Sequence, residues 1–193
     1  MDPTLRGILD RIYAYGQQND SATTVRWQRM LNITPETGEL LRMLVIAGRH
    51  SRVLELGTSN GYSTIWLADA VREHDGRVVT IEHQAYKRTM AVQNFREAGV
   101  DQFVDSRFGD IGQALPSLID FDLVFLDSER TDYVAWWPHL QASVRRGGLL
   151  VVDNATSHPE EMAPFADAVS ETAGFSSVLL PIGNGELVIM REP

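Results

Sequence analysis

From residue 52 onward, short runs of Val, Leu and Ile alternate with longer stretches in which apolar side chains recur every three or four positions. An unbroken apolar run between turn residues is the pattern of a strand buried on both faces, and the wider spacing is that of a helix with one face on a core. The pattern predicts strands at Arg52 to Gly57, Arg77 to His83, Phe103 to Gly109, Phe121 to Asp127 and Gly148 to Asn154. Between them it predicts helices at Tyr62 to Glu73, Ala85 to Ala98, Ile111 to Ile119 and Asp132 to Arg145. Such βαβα alternation implies an α/β domain with a parallel sheet covered by helices on both faces. The rhythm breaks near the C-terminus. After a helix near Glu160 to Ala173, the runs Phe175 to Leu180 and Glu186 to Met190 flank the turn-rich Pro-Ile-Gly-Asn-Gly and read as a closing antiparallel hairpin. Residues 1–50 read as helices of the same domain, with Thr34-Pro35-Glu36 supplying an N-cap and N1 proline ahead of Leu40, Leu41, Leu44 and Val45, while Gln17 to Ser21 reads as a turn. No repeat or linker-like stretch divides the chain.

Composition narrows what such a domain does. With 44% hydrophobic residues in 193, the chain can bury a sizeable core. Seventeen Lys and Arg, of which Lys87 is the only lysine, against 26 Asp and Glu give a net charge of −9, which disfavours nucleic acid as a partner. Cysteine is absent, which excludes disulfides, thiolate nucleophiles and Cys-ligated zinc and fits a cytoplasmic location. No apolar run reaches the roughly 18 residues of a membrane span, Arg42 interrupting even Leu40 to Gly48, and Met1-Asp2-Pro3 lacks the marks of a signal peptide. No membrane partner is expected. Apolar positions Leu5, Ile8, Leu9, Ile12 and Tyr13 in the first helix suggest a homodimer.

The most informative segment is Val53-Leu54-Glu55-Leu56-Gly57-Thr58-Ser59-Asn60-Gly61-Tyr62-Ser63, a buried strand running through a glycine loop into a helix. There a ligand can approach backbone amides at a helix N-terminus. Dinucleotide sites need G-x-G-x-x-G, whereas Gly57 and Gly61 are separated by three residues, so NAD is disfavoured. Glu82 ends the next strand, where a carboxylate can accept both hydroxyls of a ribose; Glu55 stands where an ammonium or a loop amide would be held.

The E-x-G-x-x-x-G-Y-S loop, Glu82 and Gly109-Asp110 resemble the S-adenosylmethionine site of the class I methyltransferases, and Gly-Tyr-Ser is most similar to the catechol and caffeoyl-CoA type O-methyltransferases. The upstream Leu-Asn-Ile-Thr-Pro-Glu-Thr-Gly and the late Leu-Pro-Ile-Gly-Asn-Gly-Glu-Leu extend the resemblance from about Leu31 to Met190. It implies that residues 51–193 form a Rossmann-like methyltransferase domain of seven strands, order 3-2-1-4-5-7-6, with strand 7 antiparallel. It also implies S-adenosylmethionine as cofactor, with the Gly57, Thr58, Ser59, Gly61 and Tyr62 loop around it, Ser63 and the amide near Ile33 at its methionine end, Glu82 on its ribose, and His83 with Gly109, Asp110 and Ile111 beside its adenine.

In that strand order the runs ending in Asp127 and in Asp153-Asn154 are neighbours, about 4.8 Å apart, so three oxygen donors converge at the edge where open α/β sheets bind ligands. Two carboxylates and an amide suit Mg²⁺, Ca²⁺ or Mn²⁺, and the pattern resembles the metal triad of the catechol-type enzymes, with Asp127 bordering the cofactor as well. The plain alternative is that Asp153-Asn154 only turns the chain. One departure from the family is that Arg130 stands where a lysine usually serves as general base. A guanidinium stays protonated and cannot accept that proton, so Arg130 pairs instead with an anionic substrate or with Glu129 or Asp132. A short Thr156 to Pro159 segment suggests an open pocket. Trp136, Trp137 and Leu140 read as helix packing, and His158 as a helix start or a base. The leading expectation is a metal-dependent O-methyltransferase of a small, catechol-like hydroxylated molecule. The alternatives are a tRNA wobble-uridine O-methyltransferase using Arg145-Arg146 or the N-terminal arginines as a basic patch, and a catalytically silent S-adenosylmethionine-binding protein.

Overall fold

A computed structural model describes residues 1–193. Its strands are β1 (Arg52–Leu56), β2 (Arg77–Glu82), β3 (Val104–Phe108), β4 (Phe121–Leu126), β5 (Val144–Val152), β6 (Phe175–Leu180) and β7 (Glu186–Arg191). They form one sheet of order β3-β2-β1-β4-β5-β7-β6, parallel except for β7, which runs antiparallel to both β5 and β6. The helices are α1 (Pro3–Ala22), α2 (Pro35–Ala47), α3 (Tyr62–Val71), α4 (Ala85–Glu97), α5 (Ile111–Ala114), α6 (Tyr133–Ser143) and α7 (Pro159–Ser170).

Alternation along the central strands explains why helices cover both faces. Val53, Leu123, Phe125 and Val151 point into one core with α1 to α4, while Leu54, Leu56, Val124, Leu126, Leu150 and Val152 point into the other with α6 and α7. The two cores hold 21 and 20 buried residues, so neither face is left to solvent. Trp137 belongs to the second, edge-on to Phe165 and Phe175 with its indole N–H donated to Thr172 at 2.9 Å; as expected, it packs a helix on the sheet.

Three readings need correction. Gln17 to Ser21 is no turn but the end of a continuous α1, because Leu5, Leu9, Ile12 and Gly16 bury one face and Asp20 in the last turn accepts the amides of Met30 and Leu31 at 2.6 and 2.8 Å. That burial is within the chain, so the apolar face of α1 no longer argues for a second copy. Strand β5 starts at Val144 rather than Gly148, because Gly147 at φ 72° and Gly148, where a Cβ would lie 2.9 Å from two carbonyls, accommodate a register shift against β4. The predicted Ile111 to Ile119 helix is only the single turn α5 followed by a 3-10 turn at Leu115–Ser117. No helix is long and apolar enough to cross a membrane.

Candidate active site

A cleft of about 720 Å³ opens above the C-terminal ends of β1, β2, β4 and β5. Its centre is the turn from β1 into α3. Gly57 has φ 112°, and a Cβ there would sit 1.9 Å from the Asp127 carbonyl; Gly61 has φ 85° and lies against Phe95. Only glycine meets both demands, a left-handed backbone and near contact with the neighbouring strand end.

Hydrogen bonds assign the loop side chains. Glu55 is fully buried and accepts hydroxyls from Ser63 at 2.6 Å, Thr80 at 2.6 Å and Thr64, rather than an ammonium or a loop amide. Burial pushes its pKa up to about 7 despite those three donors. Ser63, its proton committed to Glu55, is left with acceptor lone pairs, and it lines the cleft. The Thr58 hydroxyl is 2.5 Å from that of Thr80 and stiffens the same network, while Tyr62 is held between Tyr13 and Trp66. Glu82 accepts the amides of Ser59 and Gln84, each at 2.8 Å, one on each carboxylate oxygen, so that each oxygen keeps a lone pair for another donor.

The far wall is the segment Arg29 to Ile33, and its fastening was not legible in the sequence. Besides the two bonds to Asp20, Ser59 donates to the Met30 carbonyl at 2.7 Å and Lys87 to that of Arg29 at 2.6 Å. Ile33 lines the cleft. The adenine-side residues divide: His83 and Ile111 line the cleft, but the Asp110 carboxylate caps α5 by accepting from Gln113 at 2.9 Å, and Gly109 contributes a backbone bond to the Glu82 carbonyl. The cap uses only Oδ1 of Asp110 and leaves Oδ2 with its lone pairs.

On the floor, the strand ladders continue one residue further: Asp127 donates its amide to Leu56, and Asp153 its amide to Leu126. That extension sets the two carboxylates side by side. Asn154, at φ 67°, brings its amide group between them, Nδ2 lying 3.3 Å from Asp127 Oδ1 and 2.9 Å from Asp153 Oδ2. Burial raises both aspartates above the usual carboxylate range, and for Asp127 the neighbouring Asp153 charge adds to it. Glu186, fully buried behind Asp153, is pushed up to about 9 by burial and by Asp153, and it accepts the Thr37 hydroxyl at 2.8 Å. No third His, Cys, Asp or Glu joins the aspartates in a metal-binding cluster, so the donor set is two carboxylates and, after a half-turn of the side-chain amide, the Asn154 oxygen. These hard donors around excess buried negative charge fit a divalent cation.

Arg130 lines the same end of the cleft and is 6% exposed. It pairs with neither Glu129 nor Asp132: its Nε donates to Glu161 at 2.7 Å, while Glu129 pairs with Arg26 at 3.5 Å. His158 both precedes the first turn of α7 and borders the cleft, its Nδ1 being 2.9 Å from the Ser157 hydroxyl. Sequence reading gave no role to Asp20, Lys87, Glu161 or Glu186, which matter through contacts across 10 to 149 residues.

Comparison with known proteins identifies the family and the fold. The O-methyltransferase family model matches residues 15–181. The catechol O-methyltransferase of Mycobacterium tuberculosis is 36% identical over 156 residues, 80% of this chain and 69% of that protein. Among solved structures, a putative O-methyltransferase from Klebsiella pneumoniae superposes with a TM-score of 0.83 at 25% identity, covering 100% of this chain and 91% of the other. The O-methyltransferase TomG from Streptomyces achromogenes, involved in tomaymycin synthesis and solved in complex with S-adenosylmethionine, gives 0.79 at 25% identity, covering 100% and 91%.

Proposed function

Because the chain belongs to the S-adenosylmethionine-dependent O-methyltransferases, we propose that it methylates a hydroxyl of a small, catechol-like molecule with the help of a divalent cation held by Asp127, Asp153 and Asn154. The observation that carries the proposal is the meeting of two buried carboxylates and an amide at adjacent strand ends, in the same cleft as the glycine loop. Asp127, Asp153 and Asn154 would hold such a cation, which would supply Lewis-acid stabilisation of negative charge on an acceptor hydroxyl that otherwise titrates near pH 10. The methyl donor supplies the electrophilic methyl group.

The chain's own residues supply position. Glu82 offers two carboxylate oxygens to ribose hydroxyls and Ser63 an acceptor to an ammonium, while the Arg29 to Ile33 wall closes the methionine end. Methyl transfer is an in-line displacement that needs a near-attack geometry, and donors on strand ends and strand-to-helix turns move little. Arg130 stays cationic and takes no proton. A tRNA substrate has less support, because Arg145 is paired with Asp122, and of the N-terminal arginines Arg6 is paired with Glu39 and Arg11 with Glu97.

The test is metal removal. After exhaustive dialysis against EDTA, methylation of a catechol panel with radiolabelled S-adenosylmethionine is expected to vanish while calorimetric binding of the cofactor persists, and Mg²⁺ restores turnover. Undiminished turnover in EDTA would return Asp153 and Asn154 to a turn-forming role.

A further inference from the structure

We infer that the methyl acceptor carries a carboxylate and that Arg130 is the residue that receives it. The inference rests on the methyl-transfer reading above and names the substrate class within it. Arg130 is nine-tenths buried, yet of its five N–H donors only the one on Nε has a partner in the chain, Glu161 at 2.7 Å. The Nη1 and Nη2 groups, with four N–H donors, make no hydrogen bond or ion pair within the chain, and the side chain lines the cleft beside Asp127, Asp153 and Asn154. The side chain as a whole is buried, but its unpartnered Nη groups open onto the cleft, where their four N–H donors can be taken up by an anion that enters. Its fixed charge also acts on Asp127 and Asp153, but it makes no ion pair with either, so balancing those carboxylates by contact is not its role.

The terminal face of a guanidinium presents two parallel N–H donors, the complement of a planar carboxylate. A phosphate monoester would fit the fork too, but the flanking charges disfavour a dianion: Glu161 is bound to Arg130 itself, and Glu129 lies one residue away. Arg26, which also lines the cleft, is paired with Glu129 at 3.5 Å. One free guanidinium face between two glutamates suits a monoanion. Arg130 also begins a 3-10 turn, Arg130–Asp132, three residues after Asp127, so the anion subsite and the hydroxyl-binding floor are held by the same strand end. A diol bearing a ring carboxylate can meet both.

The test compares catechol, 3,4-dihydroxybenzoate and benzoate binding to protein saturated with S-adenosylhomocysteine and Mg²⁺, in wild type, Arg130→Gln and Arg130→Lys. Wild type is expected to bind the carboxylated diol at least tenfold more tightly than catechol. Arg130→Gln should weaken the carboxylated diol at least tenfold more than catechol, and Arg130→Lys should keep part of the wild-type advantage. In turnover the loss should appear in KM for the carboxylated diol. Equal wild-type affinity for the two diols, or an equal loss for both in Arg130→Gln, would overturn the inference. Should no diol be methylated while benzoate still binds to wild type and is lost in Arg130→Gln, the anion subsite stands and the catechol-type reading falls.

Discussion

A serine hydroxyl can donate or accept, and ionised Glu55 decides which for Ser63: by accepting its hydrogen, the buried carboxylate turns the oxygen outward as an acceptor. Glu82 works the other way, since its oxygens are aimed by two backbone amides and still have capacity for ligand hydroxyls. Charge-assisted hydrogen bonds are worth roughly 1.5 to 3 kcal/mol each. Glu82→Ala is therefore expected to weaken S-adenosylmethionine by at least an order of magnitude in calorimetry, with Glu82→Gln intermediate. Unchanged affinity in a folded Glu82→Ala protein would mean that the ribose lies elsewhere.

The far wall of the cleft is an irregular segment made firm by the elements around it. Arg29 to Ile33 has no helix or strand of its own, and Leu31 adopts φ 51°. The last turn of α1 holds it through Asp20, the glycine loop through Ser59, and α4 through Lys87, whose burial lowers its pKa from the usual lysine value. Replacing Asp20 by Ala leaves the Met30 and Leu31 amides without their side-chain partner and frees the wall while sparing both cores. Asp20→Ala is expected to raise the Kd for S-adenosylmethionine severalfold, with faster amide hydrogen exchange confined to residues 20–33. Exchange that accelerates across the whole sheet would instead show that Asp20 supports the global fold.

For the whole molecule, the buried acids above the sheet make stability depend on pH. The folded protein keeps a proton on Glu55 up to about pH 7, whereas the unfolded chain releases it near 4.5. The folded state therefore binds more protons across that window, and stability falls as pH rises through it, the loss being complete above about 7. Glu186 has the same sign up to about 9. Glu55→Gln removes the first of these contributions. Urea unfolding between pH 5 and 8 should show the stability of Glu55→Gln relative to wild type rising by on the order of 2 kcal/mol, at 1.36 kcal/mol per unit of pKa shift. A difference that does not vary with pH would mean that Glu55 is ionised in the folded state.

What the sequence determined by itself was whatever is written locally. Apolar runs marked β1 to β4 to within two residues, Thr34-Pro35 marked the start of α2, and Gly57 and Gly61 marked a turn that tolerates no side chain. Asp127, Asp153 and Asn154 were legible because each ends a strand and strand ends are where such sheets bind ligands. Tertiary structure alone decided which polar side chains face the cleft and which are spent within the fold. It gave Glu55 three hydroxyls, used one oxygen of Asp110 as a helix cap, and paired Arg130 with Glu161 rather than with its chain neighbours. It also ran α1 through residues that read as a turn, because Asp20 finds its partners ten residues later. The physical reason is range. Strand and helix patterns repeat within a few residues, whereas a hydrogen-bond donor takes whichever acceptor packing brings within about 3 Å, and that acceptor can lie anywhere in the chain.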